Sequence, residues 1–124
     1  MQRTRVPEGV QDFLPEECRA KKIVEERLRE EFIRSGFDEV ETPSFEYYDV
    51  FAQGIGAYMQ ETMIKFFDLK GSILALRPDI TVPIARMVSN NFAEQKHLRL
   101  CYIQNAFAVN DYHVGQRSEF TQAG

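Results

Sequence analysis

The sequence predicts an α+β fold with a mostly antiparallel sheet and flanking helices, and three observations lead there. Two stretches, 63–77 and 98–123, each read as strand, polar turn, strand, with apolar, aromatic and β-branched residues on either side of a connection that holds Gly, Asn or Asp. Two others, 15–35 and 80–92, carry apolar residues at three- and four-residue spacing, the period of a half-buried helix. The strands come as turn-linked pairs. The expected sheet therefore joins a hairpin of 63–68 with 72–77 to an antiparallel pair of 98–110 with 117–123, with both helices on one face.

The whole chain sets limits on function before any motif is read. Its 124 residues make one domain or part of one, with a single core. Fifteen Lys plus Arg against nineteen Asp plus Glu give a net charge of −4, which supplies no bulk attraction for phosphate backbones, so nucleic acid is not an expected partner. No run has the length of a membrane-spanning helix, and the polar opening up to Arg5 has no apolar stretch behind it, so a cytoplasmic location is expected. Cys18 and Cys101 are far apart and lack metal-ligand spacing; they read as reduced packing residues, and neither a metal nor a cofactor is expected. His97 and His113 have no companions at a catalytic spacing and read as surface and loop residues.

Taken in order, Pro7, Gly9 and Pro15 punctuate a lead into the first helix. Pro15 suits a first helical turn, where its missing N–H would be unpaired anyway, and Glu16 and Glu17 face the positive end of the helix dipole. Ile23, Val24, Leu28 and Phe32, with Cys18 and Ala20, form the stripe expected to pack inward; alternating charges such as Lys21, Glu25 and Arg29 mark the solvated side. Gly36 is the expected C-terminal cap. An extended segment over 37–46 follows. Pro43 cannot donate to a ladder, which makes this an edge or interface strand. Residues 46–53 suggest a short helix that packs Tyr47, Val50 and Phe51 inward. Gly54 and Gly56 suggest a dinucleotide loop, but Met59 holds the third glycine position and no strand precedes, so the stretch reads as a connection. The hairpin turn is Leu69-Lys70-Gly71. In helix 80–92, Ile84, Val88 and Phe92 should face the sheet, leaving Arg86, Asn90 and Asn91 wetter.

The corner Leu76-Arg77-Pro78-Asp79-Ile80-Thr81 brings an acid and free helix N–H groups together at a strand end, a place able to hold an ammonium group. The residue chemistry alone favours Asp79 as a helix cap. With the lead Pro7-Glu8-Gly9-Val10-Gln11-Asp12-Phe13-Leu14-Pro15, the proline-bearing passage near Pro43 and the strand–loop–strand at the end, this corner resembles the histidyl-tRNA synthetase group of class II aminoacyl-tRNA synthetases. The form from Arg77 to Arg86 looks like the group's non-charging relative, the regulatory subunit of ATP phosphoribosyltransferase.

The resemblance implies a class II synthetase core, here incomplete: residues 1–124 would be its N-terminal portion, ending inside the second motif region, as a fragment or a truncated product. It implies histidine contacts at Asp79, Thr81 and Gln122. It also implies a degenerate ATP site, because the synthetase Phe-Arg-x-Glu falls on Phe107-Ala108-Val109-Asn110 and a further arginine falls on Ser118. No catalytic residue is expected. The implied role is that of a non-enzymatic subunit needed by a short-form catalytic ATP phosphoribosyltransferase at the first step of histidine biosynthesis, self-associating and sensing histidine. The alternative is a fragment of a histidyl-tRNA synthetase or of a degenerate paralogue.

Overall fold

The computed structural model describes residues 4–53, 57–109 and 117–124. The element order is α1 (Pro15–Arg34), β1 (Asp38–Glu39), β2 (Phe45–Tyr47), α2 (Tyr48–Ala52), α3 (Ala57–Thr62), β3 (Lys65–Phe67), β4 (Ile73–Leu76), α4 (Thr81–Asn91), β5 (Leu100–Cys101), β6 (Ile103–Phe107) and β7 (Glu119–Ala123). The strands form a three-stranded antiparallel sheet in the order β2-β4-β3, an antiparallel ribbon β6-β7, and a short parallel pair β1-β5. The expected α+β class with mostly antiparallel pairing is what the chain adopts.

Local chemistry explains the ends of α1. Pro15 opens it, Glu16 and Glu17 occupy the first turn and Arg34 the last. Gly36, at φ +86°, takes the left-handed conformation that lets the chain reverse, and the Phe37 N–H returns to the Phe32 carbonyl at 3.0 Å. The turn between β3 and β4 has a contributor that composition did not single out. Asp68 accepts from the N–H groups of Lys70 (2.9 Å) and Ser72 (2.8 Å), while Gly71 sits at φ +84°.

The core lies between the three-stranded sheet and the helices α2 and α4. Glu46, Ala75 and Lys65 are aligned across β2, β4 and β3, and fully buried Ala75 packs there with Phe51 and Met63, flanked by Tyr48 and Val82. Leu74, Pro78, Ile80, Pro83, Cys101 and Ala106 are buried as well. Strand alternation puts Phe45 and Tyr47 on the opposite face with Phe66, where Phe45 and Phe66 meet edge to face at 5.6 Å and Phe45 and Tyr47 stay exposed.

Four expectations change. The inward stripe of α1 is not buried: Ile23, Val24 and Leu28 are 56, 58 and 40% exposed. Among the described elements its main partner is the two-residue β1, with Arg29 on Glu39 at 2.7 Å and Phe32 against Phe37 just before that strand, too small a surface to cover twenty residues. In α2 it is Tyr48, not Tyr47, that turns inward with Phe51, because β2 runs on through Tyr47 and its alternation sends that ring outward. Arg86 is drawn to the buried Glu46 rather than to water, and Pro83, not Ile84, Val88 or Phe92, is the buried residue of α4. Finally, the single strand over 98–110 is two strands: the chain changes partners at Tyr102, which exchanges N–H···O bonds with Gly124 (2.8 and 3.1 Å) after β5 has paired with β1. The connection at 54–56 and the loop at 110–116, with Asn110 and His113, lie outside the described residues.

Candidate functional site

The ribbon β6-β7 has two faces set by strand alternation. Gln104 opposes Gln122 and Ala106 opposes Phe120 on one; Asn105 opposes Thr121 and Phe107 opposes Glu119 on the other. The ladder continues outward as the Ala108 N–H donates to the Ser118 carbonyl at 2.9 Å. Ser118 is buried and its own N–H donates to the Gly9 carbonyl at 2.7 Å, so the punctuated lead docks beside the ribbon. Gln122 is half-buried, and its Oε1 is shut away from solvent with no hydrogen-bond partner among the described residues. An unpaired buried acceptor is costly, so a glutamine held this way suits a donor that arrives from elsewhere.

The corner after β4 sits against the free edge of the same ribbon. The Phe107 N–H donates to the Arg77 carbonyl at 2.9 Å, and the Arg77 N–H donates to the Ser44 carbonyl at 3.0 Å. Two residues on, Asp79 Oδ1 accepts the N–H of Thr81, the first residue of α4, at 2.5 Å. Asp79 thus satisfies the first N–H of α4 from the residue before the N-cap Ile80, close to the structural role the sequence allowed, and its second carboxylate oxygen is not used in that bond. Thr81 is exposed and Asp79 half-buried. The corner and the ribbon are therefore neighbours through Arg77 and β6, with Asp79 and Thr81 on one side and Gln122 on the other. An open cleft of about 390 Å³ elsewhere on the ribbon is lined by Phe13, Lys21, Asn105, Arg117 and Thr121, and none of the three expected histidine contacts lines it.

Sequence reasoning passed over the residues that hold this arrangement together. Arg77 is 4% exposed. Its Nε donates to the Asn105 carbonyl at 2.6 Å, and its Nη1 donates to the carbonyls of Thr42 (2.7 Å) and Pro43 (3.0 Å). Burial pushes its guanidinium pKa below the ordinary value, with the negative charges of Glu41 and Glu46 pulling the other way. Thr42 is buried too, and its main chain is gripped from a second direction by Gln104, whose Nε2 donates to the Thr42 carbonyl at 3.1 Å while its Oε1 accepts from the Thr42 N–H at 3.3 Å. The one signal in the sequence was an arginine closing an apolar strand directly before a proline, where water-facing charge is out of place. Among the described residues no cluster of three His, Cys, Asp or Glu could hold a metal ion, and no helix is long and apolar enough to cross a membrane.

Comparison with known proteins gives this geometry a context. The family model for histidyl-tRNA synthetase matches residues 9–124. The chain belongs to the histidyl-tRNA synthetase family. Within that family, a protein of Acetivibrio thermocellus named ATP phosphoribosyltransferase regulatory subunit is 52% identical over 95% of this chain and 28% of its own length. One of the same name from Alkaliphilus metalliredigens is 42% identical over 100% of this chain and 32% of its own. The crystal structure of an ATP phosphoribosyltransferase regulatory subunit/histidyl-tRNA synthetase from Bacillus halodurans superposes with TM-score 0.84 at 35% identity, over 96% of this chain and 31% of that one. Apo histidyl-tRNA synthetase from S. aureus gives 0.76 at 26% identity, over 98% of this chain and 28% of that one. The fold is thus that of the class II synthetase core of this family, and the chain spans about a third or less of the length of these relatives.

Proposed function

We propose that the chain is the N-terminal portion of a regulatory subunit of ATP phosphoribosyltransferase, a member of the histidyl-tRNA synthetase family that charges no tRNA. The observation that carries this reading is the 52% identity, over 95% of the chain, to a relative bearing that name. The residues are consistent with it. Ala108 and Ser118, which stand where the resemblance puts two ATP-gripping arginines, offer a methyl and a buried hydroxyl across one ladder step. Losing a positioned cation from a site that must neutralise a triphosphate costs about 2–4 kcal/mol of transition-state stabilisation each, enough to silence adenylation.

In this reading the protein assembles with a short-form catalytic subunit at the first step of histidine biosynthesis. Histidine, held at Asp79, Thr81 and Gln122, then signals back to that subunit. Asp79 supplies a carboxylate for the ammonium group, and the unpaired Gln122 Oε1 accepts from the ligand. A coupling of about 1–3 kcal/mol between histidine and the active assembly changes activity by roughly five- to a hundredfold. The exposed face with Phe45 and Tyr47, next to the edge strand after Pro43, supports self-association, which light scattering measures. The test of the whole reading is the catalytic subunit's rate with full-length wild type, Asp79→Ala and Gln122→Ala. Wild type should activate, and the variants should need at least tenfold more histidine to inhibit. Histidine-dependent pyrophosphate exchange by the full-length protein would instead establish the synthetase alternative.

A further inference from the structure

Thr42 is a second point, beside the direct bonds of Arg77 to β6, where the two halves of the candidate site are tied. From one side Arg77, two residues before Asp79, holds the Thr42 carbonyl at 2.7 Å. From the other Gln104, the cross-strand neighbour of Gln122, holds the same carbonyl at 3.1 Å. Arg77 also grips β6 directly at the Asn105 carbonyl, 2.6 Å away. Its hydrogen-bond acceptors among the described residues are therefore main-chain carbonyls of two segments distant in sequence, with the Thr42 hydroxyl at 3.5 Å, and no carboxylate. Burying a cation that has the charges of Glu41 and Glu46 acting on it but no carboxylate bonded to it among the described residues is an expensive way to fill space. Its use lies in geometry: a planar guanidinium with fixed donor directions locks the carbonyls it spans into one relative placement, which the flexible single ammonium of lysine does not.

We propose that Arg77 is a positioning residue for the ligand site: it fixes the Asp79–Thr81 corner against β6 and, through Thr42 and Gln104, against the strand carrying Gln122. This rests on the histidine-site reading above and adds to it a residue that touches no ligand. Loss of the guanidinium leaves Asp79 and Gln122 present but out of register with each other. A ligand that must meet both then binds on the order of tenfold more weakly, the scale on which supporting partners act on the groups they orient.

The experiment is calorimetric titration of the full-length protein with histidine, for wild type, Arg77→Met, Arg77→Lys, Asp79→Ala and Arg77→Met/Asp79→Ala, alongside thermal unfolding of each. The expected result is an Arg77→Met affinity about tenfold lower at a temperature where the variant is fully folded. Arg77→Lys should fall between it and wild type, and Arg77→Met should have little further effect once Asp79 is gone. If Arg77→Met does not fold, Arg77→Lys and its combination with Asp79→Ala carry the same comparison. A lowered unfolding temperature with unchanged affinity overturns the proposal, as do effects of Arg77 and Asp79 that multiply independently. Wild type that takes up no histidine, or wild type that binds while Asp79→Ala is indifferent, overturns the site reading and the role of Arg77 with it. Binding that depends on Asp79 but not on Arg77 overturns only the latter.

Discussion

Replacing Arg86 with methionine strands the Glu46 carboxylate in the core, and the size of the penalty follows from how each partner is placed. Glu46 is 8% exposed, and the Arg86 guanidinium donates to its Oε1 from Nη2 at 2.8 Å and from Nε at 3.0 Å. Arg86 itself is 30% exposed. Breaking a fully buried pair costs about 3–5 kcal/mol, and an exposed pair is worth about 0–1 kcal/mol. With one partner buried and the other partly in water, Arg86→Met should cost about 2 kcal/mol. Glu46→Gln removes the charge along with its demand for a counter-ion and should cost about 1 kcal/mol. The double variant should cost clearly less than the sum of the two, since its members touch and no buried charge is left unpaired. For urea unfolding with a slope of about 2 kcal/mol per molar, Arg86→Met lowers the midpoint by about 1 M. A midpoint within about 0.2 M of wild type, or strict additivity in the double variant, would refute the claim that this pair is felt as a buried one.

Two further outcomes follow from the core. Phe51→Ala empties the centre of the packing with Met63 and Ala75, at a site with no exposure, and should cost about 3–5 kcal/mol, visible as a large fall in the same urea midpoint. Burial, with help from the charges of Glu39 and Asp38, pushes the Cys101 thiol above its ordinary pKa. The native state therefore keeps a proton that the unfolded chain loses, so this group's contribution to stability is complete below the ordinary thiol range and declines as pH rises through it. Iodoacetamide at mildly alkaline pH should alkylate half-buried Cys18 well before buried Cys101, and denaturant should abolish the difference, as read by peptide mass.

What the sequence disclosed divides by the range of the interactions involved. Pro15, Gly36 and Gly71 were legible because each sets a dihedral or a cap within a few residues of itself, and the paired strands because their alternation and turns are local. The break at Tyr102 was not, since nothing in Leu98 to Val109 says that β5 will turn to β1 while β6 turns to β7. Nor was the inward pull on Arg86, which depends on a glutamate forty residues away. For the site, Asp79, Thr81 and Gln122 were reachable only through likeness to a family, while Arg77, Thr42 and Gln104 were not reached at all. Their roles consist of contacts with main-chain carbonyls, and a carbonyl is the one group that every residue in the sequence possesses.

The bond between Thr42 and Gln104 spans 62 residues, and the parallel pairing of Asp38 with Leu100 closes a loop of similar size. On a ribosome adding roughly 5–20 residues per second, the segment around Thr42 leaves the tunnel roughly 3–12 s before its partner strand exists. Through that interval β1 lacks the strand it pairs with, because β5 is made later. The hairpin of β3 and β4, whose contacts are near neighbours, can form meanwhile and take β2 as its third strand. Structure thus spreads outward from that hairpin, and the corner at Asp79 is tied to β6 only after that strand is made and Arg77 meets the Asn105 carbonyl.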